Sequence, residues 1–265
     1  FLIAGSLISA LTAGLTQKLT QLKEGHSEII EIGHTVIIGW SSNLFEIISE
    51  LQIANKNQGK CAISILGDKA KSEMEMEIKK RIDQTTNTRI ICRSGDESSL
   101  TDLKKVNVDA AKSIIINLPD KRNHKLIATL LAIVNNPDRR REPYHIVTTA
   151  PDENSRDLAK MIGKDELEVV FSTNFLARIE AQTCRQSGLP YIYQELLDFS
   201  GDEIYFQIET ALAGNRFGDA QLAFETSSVI GLYSRGNGVR INPSADTIIG
   251  EGEHIIAISE DDDTI

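Results

Sequence analysis

The sequence predicts an α/β protein built on a doubly wound parallel sheet, and three observations carry that prediction. Between residues 34 and 172, short apolar runs alternate with helix-like stretches of about ten to fifteen residues. The runs are continuous, not alternating apolar and polar, as strands covered on both faces require. The first run opens HTVIIGWSSNLFEIISEL, a strand–turn–helix sequence of the dinucleotide-carrying kind, which makes the predicted sheet Rossmann-like.

In chain order, TVIIGW is a strand and SNLFEIISELQIANK a helix with apolar residues at Leu44, Ile47, Ile48 and Leu51. CAISILGD is the second strand and the charged KSEMEMEIKKRIDQ the second helix. The strand TRIICRSGD, the helix ESSLTDLKKVNVDAAK, the strand SIIINLPD and the helix HKLIATLLAIVNN continue the alternation. HIVTTAPD, ENSRDLAKMIG and the short strand EVVF complete it. The pattern then changes. STNFLARIEAQTCRQSGLP reads as one helix, stopped at Gly188–Pro190, and YIYQELLDF as a second. From about Asp202, DEIYFQIE, VIGLYSR, GVRINP and HIIAIS are short strands separated by glycines, with NRFGDAQLAF as a helical turn. The predicted organisation is an α/β lobe over 34–172, a helical pair over 173–200 and a small α+β lobe over 201–265.

Residues 1–17, FLIAGSLISALTAGLTQ, carry no charge, and Lys18 is the first charged residue. Roughly 20 apolar residues span a bilayer as a helix. The stretch therefore fits the last turns of a transmembrane helix cut at its start, in a fragment that opens on Phe1 and not on Met. An amphipathic soluble helix is the other reading, which Thr12, Thr16 and Gln17 favour. A signal peptide fits worse, because no basic region precedes the apolar run. The linker over 18–33 reads as helical until Gly33.

A formal charge of −10 with no basic stripe argues against nucleic acid as a partner. Cys61, Cys92 and Cys184 form no C-x-x-C pair and read as buried free thiols in a reducing compartment. Gly39, Ser41 and Leu44 stand at the three glycine positions of the dinucleotide turn. Ser41 puts a side chain where the backbone should meet a pyrophosphate, and Leu44 fills the point of helix–strand packing. The helix N-terminus, with Ser41 or Ser42 as its cap, can still attract an anion. Asp68 ends the second strand where an acid would grip a ribose. Gly39, Ser41, Ser42 and Asp68 thus form a degenerate nucleotide site, and nothing else in the sequence supports NAD or an adenine nucleotide. The five histidines show no metal-ligand spacing, and neither a G-x-S-x-G elbow nor a Walker loop occurs, so no enzyme is predicted.

Two groups of residues suggest binding. Asp120 closes the fourth strand, and Asp152 and Glu153 close the fifth. Neighbouring strand ends in a parallel sheet share one rim, so the three carboxylates could contribute to a hard-cation site. Turn chemistry and the N-cap of the next helix explain each of them singly more simply. The helical pair carries Phe175, Leu176 and Ile179, then Tyr191, Ile192, Leu196 and Leu197, more apolar surface than one face against a sheet needs. Core packing and a subunit interface account for it equally well.

The stretches GHSEIIEIGHTVIIGWS, ICRSGDESSLTDLKKVNVDAAKSIIINL, RQSGLPYIYQELLDF and IAISEDDDT resemble the RCK (regulator of potassium conductance) domain of ligand-gated cation channels. More narrowly, the chain is similar over nearly its whole length to the CASTOR/POLLUX family of plant nuclear-envelope channels and their prokaryotic relatives. The resemblance implies a Rossmann-like lobe, a helical pair that clasps a second RCK domain into a dimer, and a small C-lobe. It further implies a tetrameric gating ring on the cytosol-facing side of a membrane, the nuclear envelope in plants or the cell membrane in a prokaryote. Residues 1–17 would then end the pore-lining helix, and a second RCK domain would follow in the full-length chain. Calcium is the ligand the family suggests, with Asp120 matching a family ligand position. The family's acidic pair at the end of the fifth strand is not matched: Thr149 and Pro151 stand there, and Asp152 and Glu153 lie just beyond. Two rival functions are a nucleotide- or NAD(H)-sensing regulatory subunit of a potassium-uptake transporter, and a dinucleotide-dependent oxidoreductase.

Overall fold

The computed structural model of the chain describes residues 12, 25, 27–83, 86–119 and 123–260. The expected membrane helix over 1–17 lies outside the described residues except for Thr12. Among the described residues, no helix is long and apolar enough to cross a membrane. The chain divides into two compact units, 1–180 and 181–265.

The first unit carries β1 (Thr35–Ile38), α1 (Leu44–Ala54), β2 (Cys61–Gly67), α2 (Lys71–Arg81), β3 (Thr88–Ser94), α3 (Leu100–Lys105), β4 (Ser113–Ile116), α4 (Asn123–Val134), β5 (Ile146–Ala150), α5 (Glu153–Gly163) and β6 (Leu167–Phe171). All six strands are parallel, in the order β3-β2-β1-β4-β5-β6. The strand order reverses between β1 and β4, which opens a crevice above their carboxyl ends. The short run TVII is buried because its alternate side chains feed two cores. Val36 and Ile38 pack with Leu103, Leu126, Leu130 and Ile146. Ile37 packs with Leu44, Ile48, Ile63, Ile65, Met74 and Ile78. A strand that must be apolar on both sides has no room for alternation, which is why the run is continuous. The doubly wound parallel sheet is therefore as the sequence predicted.

Helices α6 (Ser172–Arg185) and α7 (Leu189–Leu197) follow. The remaining chain forms β7 (Glu203–Gln207), α8 (Phe217–Ala220), β8 (Ser228–Ser234), β9 (Gly238–Ile241) and β10 (His254–Ser259). These strands make an antiparallel sheet in the order β7-β10-β8-β9. Its core gathers Phe217, Val229, Leu232, Ile249, Ile255 and Ala257.

Local structure departs from the sequence expectation in four places. ESSLTDLKKVNVDAAK is not one helix: α3 ends at Lys105, Asn107 adopts a left-handed backbone (φ 48°), and Val108–Ala110 makes a separate 3-10 turn. Val106 and Val108 are both buried in the sheet core, so tertiary packing sets the break and Asn107 tolerates the strained backbone. The linker is not helical over 27–33. Gly25 has a left-handed φ of 79°, and the chain then runs as a strap bonded to the α/β unit. Ile29 N donates to Lys105 O (3.0 Å), Gly33 N to Ala110 O (2.8 Å), Arg93 Nε to Ser27 O (2.6 Å) and Asn107 Nδ2 to Glu31 O (3.0 Å). Backbone groups spent on the neighbouring lobe cannot make helical bonds to their own chain. The helix expected to stop at Gly188–Pro190 ends three residues sooner, at Arg185, and Leu189–Pro190 start α7, Pro sitting in a first turn where its missing N–H costs nothing. Finally, Cys92 is buried, its thiol pushed up to about 12 by desolvation, but Cys61 is half-buried and Cys184 exposed.

Candidate functional site: the crevice at the β1–α1 turn

The crevice measures about 880 Å³ and is lined by the turn Trp40–Asn43, by Phe45, by Lys69, Glu77 and Arg81 from the β2–α2 side, and by Asn117–Pro119 and Thr149. Its floor explains the one glycine that the turn retains. Gly39 has φ 108°, and a Cβ there would stand 2.5 Å from Asn117 O. Backbone bonds from Gly39 N to Leu66 O and from Asn117 N to Ile38 O, both 2.8 Å, pull the strand ends together. Gly39 is thus required by the approach of the chain after β4, with or without a ligand.

The other two glycine positions have been filled in different ways. Leu44 is fully buried, a member of the core with Ile37, Ile48 and Ile63. Ser41 turns its hydroxyl toward Asn117 Oδ1 (2.8 Å) and toward Asn43 Oδ1. Ser42 is exposed. Asn43, at the N-cap of α1, makes no side-chain capping bond, and neither Ser41 nor Ser42 occupies the capping position expected of them. Asp68 is exposed and is not among the residues that line the crevice.

Three residues that sequence reasoning missed shape the site. Trp40 meets Phe45 edge-to-face at 5.8 Å. Lys69 Nζ lies 5.3 Å from the Trp40 ring centroid and 2.9 Å from Glu77 Oε1, the hydrogen bond that raises the lysine pKa. Asn117 is only 5% exposed, and its Nδ2 has no hydrogen-bond partner among the described residues. The legible signals were an aromatic residue directly after the strand-ending glycine and an asparagine at the end of an otherwise apolar strand.

The candidate calcium ligands are placed as follows. Asp152 is the N-cap of α5: Oδ1 accepts from Ser155 N (2.8 Å), and Oδ2 from Ser155 Oγ (2.9 Å) and Asn123 Nδ2 (3.0 Å). The bond from Ser155 N–H, with those from the Ser155 hydroxyl and Asn123, holds its carboxyl below the usual carboxylate range. Glu153 is exposed in the first turn of the same helix. Asp120 lies outside the described residues. Among the described residues, no group of three or more His, Cys, Asp or Glu side chains gathers around a point that could hold a metal ion. Asp152 would have to release its cap to bind a cation.

The helical pair presents the other candidate surface. Neither α6 nor α7 buries a single residue completely. Phe175 and Leu176 on α6, and Tyr191 (77%), Ile192 and Leu197 (63%) on α7, are exposed, while Ile179 and Leu196 are half-buried. Core packing within the chain does not account for this apolar surface.

Comparison with known proteins supplies a domain and relatives. Residues 173–265 match the family model described as Castor and Pollux, part of voltage-gated ion channel. The chain is 32% identical over 267 residues to the probable ion channel POLLUX of Oryza sativa subsp. japonica, and 34% identical over 269 residues to the probable ion channel SYM8 of Pisum sativum. These alignments cover 99% and 98% of this chain. Over residues 173–265 it carries the Castor/Pollux domain. The chain spans 28% and 30% of the length of those two relatives. Among solved structures, the human SLO3 gating ring superposes with a TM-score of 0.58 at 16% identity, covering 87% of this chain and 45% of that one. The chain thus has the RCK fold that the sequence resemblance implied.

Proposed function

We propose that this chain is the ligand-reading RCK domain of a Castor/Pollux-type cation channel, and that it assembles through α6 and α7 into a gating ring whose rearrangement moves the pore. The observation that carries the proposal is the uncovered apolar face of α6 and α7, which lies inside the segment matched by the family model. Apolar side chains of this size left in water are a standing drive to associate. A second copy of the same domain offers the same face, so a two-fold pairing is self-complementary, and a tetrameric ring follows if a second contact closes the set.

The strap over 27–33 supports coupling to the pore. Its bonds to β3, to α3 and to the turn after α3 make it part of the α/β unit, so a displacement of that unit is passed to the residues before it and not absorbed in a slack linker. Ligand gating then needs differential affinity: a ligand shifts the equilibrium only by as much as it prefers one arrangement of the ring over the other. Calcium is the ligand we propose for this role, with Asp120 and Glu153 as its carboxylates and Asp152 joining on release of its cap. A cytosol-facing position beneath a membrane pore, and a second RCK domain in the complete protein, belong to the same proposal.

The test is sedimentation of the 265-residue chain with and without calcium. Association that is lost in Phe175→Ser/Tyr191→Ser is expected, with a calcium-dependent change in sedimentation that Asp120→Asn reduces. A monomer at all concentrations would refute assembly through this face. A calcium response identical in Asp120→Asn would refute the ligand assignment.

A further inference from the structure

We infer that Asn237, at the tip of the β8–β9 hairpin, is a site of spontaneous modification: its side chain cyclises onto the backbone nitrogen of Gly238, and water opens the ring to aspartate or isoaspartate. Asn237–Gly238 is the single Asn-Gly step in the sequence. Turn chemistry explains why that pair stands between two strands, since Gly238 has a left-handed φ of 66° that a residue with a side chain resists. The same glycine leaves the attacking nitrogen uncovered. A Cβ placed on Gly238 or on Gly236 would have no atom within 4 Å, so both flanks of Asn237 are open. Asn237 is exposed, and among the described residues its backbone N–H bonds to Ser234 Oγ at 3.4 Å while its side-chain amide is unbonded.

The other asparagines lack one or both conditions. Asn136 and Asn242 precede proline, which has no N–H to lose. The Asn87 amide is held by Asn55 O, Gln58 O and Gly59 O at 2.7, 2.8 and 2.9 Å. Asn123 donates to Asp152 Oδ2 and Ser155 Oγ, and Asn107 to Glu31 O. Asn117 is buried. In each remaining case the next residue carries a Cβ that crowds the nitrogen. The step itself balances with water alone. Solvent hydroxide takes the Gly238 N–H proton, the nitrogen attacks Asn237 Cγ, the Cγ–Nδ2 bond breaks, and the amide nitrogen leaves as ammonia with a proton from water. Water added to the resulting five-membered imide gives aspartate if the ring opens at Cγ, and isoaspartate if it opens at the main-chain carbonyl.

The consequence falls on β9. This strand is an edge of its sheet and pairs with β8 alone, Ser234 opposite Gly238, Tyr233 opposite Val239 and Leu232 opposite Arg240. Isoaspartate routes the main chain through its own Cβ, which adds a methylene between Ser234 and Gly238 and pulls that register out of step. Arg240, close behind Gly238, donates from Nη2 to Oε1 of the buried Glu253 carboxylate at 2.5 Å. The slip therefore reaches an ion pair inside the lobe. Aspartate formed from the same ring keeps the backbone length and leaves that pair in place.

This inference is independent of the gating assignment and stands whether or not the chain assembles. The experiment is incubation of the 265-residue chain in mildly alkaline buffer, followed by isoelectric focusing and peptide mass spectrometry. One added negative charge per chain is expected, located at residue 237 and shared between aspartate and isoaspartate, at a rate that rises in proportion to hydroxide. Asn237→Gln should remove the charge gain, because its longer side chain closes a less favourable six-membered ring. The aged chain should melt about 2–4 °C below aged Asn237→Gln, the shift that one modest lost contact produces in a chain of this length. Fresh Asn237→Asp should melt with the unaltered chain, which assigns the loss to the added methylene and not to the charge. A charge gain that persists in Asn237→Gln would overturn the site. So would conversion in the folded chain more than about tenfold slower than in urea, a barrier showing that the hairpin holds the amide away from Gly238 N. Equal melting of the aged chain and aged Asn237→Gln would overturn the effect on β9.

Discussion

The six-stranded sheet and the α6–α7 pair are built from similar residues and end in opposite conditions. In the sheet, Val36, Ile37 and Ile38 each disappear into one of two cores, so the α/β unit completes its own burial. In the helical pair, Phe175, Leu176, Tyr191, Ile192 and Leu197 remain in water, and neither helix has a fully buried residue. Apolar content alone therefore says little about what a segment is for. What matters is whether the same chain provides the surface that covers it. The sheet is a finished scaffold, and the pair, on the function proposed above, is half of a contact.

That contrast can be broken by experiment, beginning where the expected effect is largest. Leu44→Ala should lower the unfolding free energy by about 2–5 kcal/mol, the range for a buried leucine, measured by urea denaturation. A loss below about 1 kcal/mol would mean that the α1 side of the core can collapse around the gap. Gly39→Ala should cost about 1–3 kcal/mol, because the new Cβ meets Asn117 O and the left-handed backbone is strained for any L side chain. Removing the Glu253 carboxylate should cost about 1–2 kcal/mol near neutral pH. Burial would raise the pKa of this group, but Gly250 N (3.0 Å) and Arg240 (2.5 Å) donate to its carboxylate and together hold it below the ordinary value of 4.5. A depressed carboxyl contributes stability above its unfolded pKa and loses it as the pH falls through the folded one. The gap in melting temperature between the unaltered chain and Glu253→Gln should therefore be open at pH 7 and narrow as the pH falls below the ordinary carboxylate range. An unchanged gap at acid pH would remove the charge from the explanation. Smallest of all, Tyr191→Ser should move the folding free energy by no more than about 0.5 kcal/mol, as for other exposed sites, while weakening association in sedimentation. A large loss of folding stability there would show that α7 is core after all, and the comparison would fail.

The sheet was legible because its signal is redundant. Five strands in a row are continuous apolar runs, and the helices between them repeat the message. The turn HTVIIGWSSNLFEIISEL also gave the location of the crevice. Its content was harder to read. Leu44 could be judged from the motif, because a branched residue at a packing point has one consequence. Asn117 could not, since an asparagine after a strand is ordinary turn chemistry until burial and a missing partner are known. The strap over 27–33 was misread for a related reason: its charged and apolar residues suit a helix, and only the acceptors offered by Lys105 and Ala110 decide otherwise. Asp152 was legible as either a cap or a ligand, and the bonds from Ser155 and Asn123 show the cap.

Leu44 also bears on how such a turn can change over evolutionary time. A glycine restored at position 41 alone would reopen the point of close approach but leave Leu44 packed with Ile37, Ile48 and Ile63. A glycine at 44 would excavate the core beneath α1, and the helix would be weakened by its most flexible residue. The step at position 44 is therefore opposed by the core itself, whatever stands at 41, and the departure from a dinucleotide turn behaves as a ratchet.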